Sequence, residues 1–338
     1  MSYVTTYLHH TQAVEEAARR LGVKATVRLF DGTLRLEDGI HEEAWIPKYM
    51  ANLNGRSVYL PARGAGVTGF AGWMPYELRQ WPAATDKITF KRFAIANGMA
   101  VPAACFNPKW IAGPFIVKPT ASSFGEGIRG PYLSYEPGEP DHQLAQGEYY
   151  ENFIVGHIAK AWCWGPECIA LHLDPPVTVT GDGKSPLREL VAGLPNAQDT
   201  AHDWPLISRL AAYSGAAIDD VLPEGKEVLA EFRYGARYAV AQRDANPNLL
   251  PRLQGTRLAC QFSDAARVCA GSISADPDVC DAFYTLDAIV DSEGQAQFLE
   301  MNCNPVVHPD LYGPMMTTRF GGIQHMRRAQ FERAALPA

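Results

Sequence analysis

Residues 284–310 read YTLDAIVDSEGQAQFLEMNCNPVVHPD, an apolar run, a Ser292-Glu293-Gly294-Gln295 turn and a second apolar run. That is the pattern of an antiparallel hairpin. Asp287 interrupts the first run, and Glu300 and Asn302 interrupt the second. With Glu293-Gly294 as a two-residue loop, 292 faces 295, 289 faces 298, 287 faces 300 and 285 faces 302. Side chains alternate along a strand, so Asp287, Glu300 and Asn302 then share one face. Two like charges directly opposite each other destabilise a sheet unless something positive lies between them. Oxygen donors of this kind suit a hard cation, and Mg²⁺ is the usual guest where ligands are few and a substrate brings phosphates. A strand face turned to water would carry the same residues. A loop longer by a single residue would separate the set.

Upstream, FIVKPTASSFGEGIRG (115–130) places Lys118 at the end of an apolar strand, followed by a loop with Ser122, Ser123, Gly125 and Gly127. Small residues let backbone N–H groups close around an anion, and the lysine adds a point charge. A surface turn is the plainer reading of such a loop. Ahead of it, TDKITFKRFAIANG (85–98) predicts a helix with Thr85 as N-cap, Asp86 in the first turn and Gly98 as the stop. Further strands are expected at KATVRLF, RSVYLPA, GEYYENFIVG, AKAWCW and ECIALHLD. Helices are expected from Thr11 to Leu21, in SPLRELVAGL and, as a short amphipathic one, in SDAARVCAGS. Helices and strands mix throughout, which predicts an α+β (α/β) fold.

Two glycine motifs lead elsewhere. GAGVTG (64–69) fits the spacing of a dinucleotide fingerprint, but Trp73 and Pro75 spoil the helix that should open after it. GDGKS (181–185) resembles the end of a phosphate-binding loop, but Thr178 stands where its first glycine belongs. His9, His10 and His308 have no partners at metal-ligand spacing.

The 338 residues suffice for about two domains, and 47% hydrophobic with 20% charged residues is ordinary globular composition. A net charge of −7 argues against nucleic acid as the main partner. No apolar stretch approaches a membrane span. The N-terminus lacks the charge and apolar pattern of a secretory signal. Seven scattered cysteines, none spaced CxxC, read as reduced thiols. The expected compartment is cytoplasmic.

In order and spacing, five segments together resemble the ATP-grasp superfamily: TDKITFKRFAIANGMAVP, FIVKPTASSFGEGI, YYENFIVG, VTGDGKSPLREL and FYTLDAIVDSEGQAQFLEMNCNPVV. The match covers about residues 85–313. The stretch LHLDPPVTVTGDGKSPLREL looks most like the cyanophycin-synthetase-like branch, without its C-terminal Mur-ligase-like domain. The resemblance implies an ATP-grasp fold of two α+β lobes around ATP. It implies three parts: a small N-terminal domain (1–84), a lid lobe (85–155) and a large lobe with the metal site (156–338). Lys87 and Lys118 would contact phosphates, and the loop from Ser122 to Gly127 would fold over them. Glu151 and the backbone at Asn152 and Ile154 would meet the adenine edge. Lys160 would stand near the phosphates, and Arg233 or Arg237 would supply a further cation. Asp287, Glu300 and Asn302 would hold Mg²⁺. The implied activity is ATP-dependent joining of a small-molecule carboxylate, an amino acid or peptide, to an amine through an acyl phosphate. A phosphotransferase, an ester- or thioester-forming ligase and a nucleotide-binding protein without catalysis are the alternatives. A homodimer is a further option that the resemblance raises. The sequence departs from the family at His157-Ile158, where an acidic residue usually holds the ribose, and in the long stretch 230–257.

Overall fold

The computed structural model describes residues 3–53, 56–64, 66–122, 125–195, 201–233, 248–276 and 280–321. The chain opens with helix α1 (Tyr3–Leu21), longer than its sequence pattern by two turns, and stops where Gly22 takes φ +64°. Five strands follow, β1 (Lys24–Val27), β2 (Leu34–Glu37), β3 (Glu42–Leu53), β4 (Arg56–Leu60) and β5 (Val67–Met74). They form one antiparallel sheet in the order β1-β2-β3-β4, with β5 also paired to β3. The GAGVTG glycines therefore lead into a strand, as Trp73 and Pro75 require.

This sheet does not bury its apolar face alone. Trp45, Phe70 and Trp73 pack with Val14 and Ala18 of α1, and also with Tyr312, Met315, Met316 and Phe320 from the far end of the chain. Gly72 lies at the closest approach. Its φ is +108°, and a Cβ there would come within 2.6 Å of Val307 and 2.9 Å of the Tyr312 hydroxyl. Only glycine fits.

Helix α2 (Lys87–Ala96) starts one residue later than its sequence pattern suggests. Asp86, not Thr85, is the N-cap, accepting from the Thr89 N–H at 2.7 Å. A carboxylate there also complements the helix dipole, which a threonine cannot do. A second sheet then runs β6-β9-β7-β8, from β6 (Ala104–Cys105), β7 (Phe115–Pro119), β8 (Arg129–Tyr132) and β9 (Glu148–Asn152).

The third sheet has the order β11-β10-β14-β15, from β10 (His157–Trp164), β11 (Glu167–Asp174), β14 (Phe283–Val290) and β15 (Ala296–Cys303). Helix α5 (Arg257–Ile273), longer than its short sequence signal, covers one face: Phe262, Ala265 and Cys269 pack with Tyr284, Leu286, Phe298 and Met301. Phe90 and Ala94 of α2 join the same core. A two-stranded ladder, β12 (Val177–Thr180) with β13 (Glu227–Glu231), carries the short helices α3 (Leu187–Ala192) and α4 (Trp204–Tyr213). The architecture is α+β, with antiparallel pairing throughout the described strands.

The β14–β15 hairpin differs from its two-residue-loop reading. Asp291 and Gln295 close a longer turn, so Val290 faces Ala296, Ile289 faces Gln297 and Ala288 faces Phe298. The expected pairing of 289 with 298 is therefore wrong. A bulge at Leu299 then inserts one residue and restores the register, with Asp287 facing Glu300 and Thr285 facing Asn302. The bulge has a packing reason: Phe298 and Met301, three apart, both enter the core, which strict alternation forbids.

Candidate active site

A row of polar residues crosses the open face of the third sheet. His172 faces Lys160, Lys160 faces Asp287, and Asp287 faces Glu300. The Lys160 ammonium lies 2.7 Å from Asp287 Oδ1, and the Asn302 amide donates to Asp287 Oδ2 at 3.1 Å. Lys87 approaches from the start of α2, pairing with Glu300 Oε2 at 2.9 Å and donating to the Ser122 carbonyl at 2.7 Å. One lysine thus ties the helix, the glycine loop and the hairpin together.

The electrostatics of the two carboxylates diverge. Burial raises Asp287; Lys160 offsets only part of this, and the facing Glu300 adds to it. Burial also works to raise Glu300, but Lys87 and Lys118 outweigh it and hold the group below its usual range. Such an asymmetric pair matches the like-charge argument for facing carboxylates. Among the described residues no three His, Cys, Asp or Glu side chains converge as a metal-binding group. A cation here would therefore have two carboxylates and the Asn302 amide, leaving its remaining positions to phosphate oxygens and water. That donor set fits Mg²⁺.

Beside this row lies a second charged cluster. The Glu151 carboxylate, 1% exposed, accepts from Lys91 at 2.7 Å, Lys118 at 3.0 Å and the Tyr149 hydroxyl at 3.2 Å. Burial opposes its ionisation, but Lys118 and Lys91 overcome that and pull it down to about 2. Glu151 is thus committed to orienting two lysines, which the adenine-edge expectation did not include. The Asn152 N–H is likewise engaged, by the Ala103 carbonyl at 2.9 Å.

Ser122 and Gly125 line the same cleft as Lys87, Lys118, Glu151, Asn152, Ile154, Arg233, Asp287 and Glu300. Its apolar walls include Ile116, Phe153, Ile158, Phe232, Ile289 and Leu299, and Leu299 is exposed to it by the bulge. Gly125 and Gly127 take φ +72° and +74°, which the loop needs for its turns. Arg233 is held by Glu231 at 2.9 Å and by Asp203, the N-cap of α4, at 3.1 Å. Ser123 and Arg237 lie outside the described residues. Lys160 and Asn302 line a second cleft that shares Gly125, Asp287 and Glu300 with the first.

Several partners were not anticipated from sequence. Lys91 stands four residues after Lys87, which places both on one face of α2, so its signal was readable. Lys48 of β3 had none. Its ammonium donates to the carbonyls of Asn304 and Pro305, just past Asn302, and lies 3.9 Å from the Tyr59 ring centroid. Burial lowers it to about 7. His308 joins no metal-type cluster among the described residues but is hydrogen-bonded to His172 Nε2 at 3.1 Å. The Asp310 N–H donates to His308 Nδ1 at 3.2 Å, so in the neutral pair His308 Nε2 is the donor. GDGKS forms a turn in which Asp182 accepts from the Lys184 and Ser185 N–H groups. No helix of the described residues is long and apolar enough to cross a membrane.

No family model matches the chain, and no curated protein does. Solved structures do match. Over 93% of this chain and 44% of the other, the bifunctional glutathione synthetase from Pasteurella multocida is 16% identical, with a TM-score of 0.41. A D-alanine–D-alanine ligase from Bacillus anthracis is 13% identical over 72% of this chain and 68% of its own, at 0.35. The VanG D-Ala:D-Ser ligase from Enterococcus faecalis is 13% identical over 71% and 61%, at 0.39. The chain spans less than half the length of the glutathione synthetase. These likenesses are distant, and the functional reading rests on this chain's own residues.

Proposed function

We propose that the protein is an ATP-grasp-type carboxylate–amine ligase. It would transfer the γ-phosphoryl of ATP to a substrate carboxylate, and an amine would then displace phosphate to leave an amide. The observation that carries this reading is the junction of Asp287, Glu300 and Lys87, where facing carboxylates, a lysine and the glycine loop meet between two clefts. Phosphoryl transfer needs positioning and charge neutralisation more than covalent chemistry. Lys87 and Lys118 supply fixed cations for the phosphates, and Glu151 with Lys91 orients Lys118. Lys160 and Arg233 supply further charge, and Arg237, outside the described residues, is a further candidate. Asp287, Glu300 and Asn302 would hold Mg²⁺, which supplies charge neutralisation between phosphate oxygens when bound. The loop from Ser122 to Gly127 excludes water from the acyl phosphate. We assign the adenine to the apolar cleft at Ile154, and we keep the division into 1–84, 85–155 and 156–338 as part of the proposal. Cytoplasmic location and small-molecule substrates belong to the same reading.

ADP release in the presence of Mg²⁺, measured against pools of amino acids and amines, tests it. The expected result is ADP formed only when both a carboxylate and an amine are supplied, with the amide detected by mass. ADP without an amine and without amide would replace the ligase with a phosphotransferase.

A further inference from the structure

The second cleft begins where the first ends, at Gly125, Asp287 and Glu300. On the ligase reading, on which this inference rests, that shared junction is where the carboxylate to be activated must lie. The remainder of the cleft then faces the rest of the acyl donor. Its polar side chains are already engaged within the protein. Lys160 and Asn302 are bound to Asp287, and the Asn304 side-chain amide bridges both backbone polar groups of Arg79. The Trp162 indole N–H donates to the Val306 carbonyl at 2.8 Å, and its buried ring packs against His172 and His308, with centroids 4.5 and 5.2 Å away. Beyond the junction, the surface left for an occupant is that of Tyr59, Cys303, Pro305 and Val306, with Trp162 largely buried.

The Tyr59 wall is fixed in place. Tyr59 is paired to Met50 across β3 and β4, and its ring lies against the Lys48 ammonium, which the carbonyls of Asn304 and Pro305 hold in turn. The N-terminal sheet is thereby fastened to the strand end that follows the carboxylates. An apolar wall preformed this way favours an occupant that buries carbon against it.

We propose that the Tyr59 ring, with Pro305 and Val306 beside it in the cleft lining, selects the acyl donor, and that the donor is a carboxylic acid with a large apolar or aromatic group. The test is hydroxamate formation with ATP, Mg²⁺ and hydroxylamine, which captures the activated acid. The acids supplied are L-phenylalanine, L-leucine, 3-phenylpropionate, glycine and L-glutamate. The expected kcat/KM is about tenfold or more higher for the large apolar acids than for glycine and L-glutamate. Tyr59→Ala should lose about tenfold on the large apolar acids and little on glycine, with the KM for ATP unchanged, while Tyr59→Phe keeps the preference. Tyr59 is only partly buried, so its truncation leaves the core intact. A preference for glycine or L-glutamate, or an equal loss on every acid in Tyr59→Ala, overturns this assignment and leaves the ligase reading standing. Neither hydroxamate nor ADP from any acid overturns the ligase reading itself, and the assignment with it.

Discussion

Glu151→Gln removes the charge from the centre of the Lys91–Glu151–Lys118 cluster while keeping its shape. The carboxyl is pulled from 4.5 to about 2 in the folded protein, a difference of roughly 3 kcal/mol at neutral pH. Removing one member of a buried ion pair costs about 3–5 kcal/mol in general, because the partner charge stays buried. Both routes agree on the size. Lys91 bears part of the cost: burial already lowers it, and Glu151 is what holds it up. The sign follows from the depressed acid. Glu151 contributes its full stability above pH 4.5 and loses it as the pH falls through about 2. Urea unfolding of both proteins at pH 7 should therefore show Glu151→Gln less stable by roughly 3 kcal/mol, narrowing by about 1 kcal/mol at pH 3.5. Adding Lys91→Met should recover part of the loss, since a paired deletion leaves fewer stranded charges. A difference below about 1 kcal/mol at pH 7, or one that stays constant down to pH 3.5, would refute the account.

Asp287→Asn and Glu300→Gln should each lower ATP turnover by about 100-fold or more. For Asp287→Asn the thermal midpoint should move little, because relief of the repulsion with Glu300 offsets the lost Lys160 pair; near-normal activity with Mg-ATP would sink the site assignment. Lys118→Ala should weaken ATP binding by about tenfold or more, read by calorimetry, since the proposed site loses a buried lysine that would face phosphate. Gly72→Ala should destabilise the fold by roughly 2 kcal/mol or more, through the clash with Val307 and the positive φ. Gly98→Ala, at φ +73° but with open space around it, should cost only about 1 kcal/mol, and equal melting temperatures for the two would contradict the packing argument.

The hairpin shows how far local pattern reaches. Period-two alternation and a glycine turn predicted that Asp287, Glu300 and Asn302 share one face, and they do. The route was different, however: the turn is longer, and the Leu299 bulge cancels the slip. Whether Phe298 and Met301 both enter the core depends on what α5 presents to them, and no window of the hairpin sequence contains that information. The same holds at the start of α2, where Thr85 and Asp86 are both capping residues and the backbone chose the second.

By itself the sequence determined the α+β mixture, the lysine at the end of β7 and the glycine loop, because each is written in residues close together along the chain. Tertiary structure alone decided the partners. Glu151 joins Lys91 and Lys118 across separations of 60 and 33 residues, Lys48 reaches carbonyls more than 250 positions away, and the N-terminal sheet shares its core with Tyr312 and Phe320. A buried charge accepts whichever counter-charge packing brings within reach, and that choice is made by the whole fold.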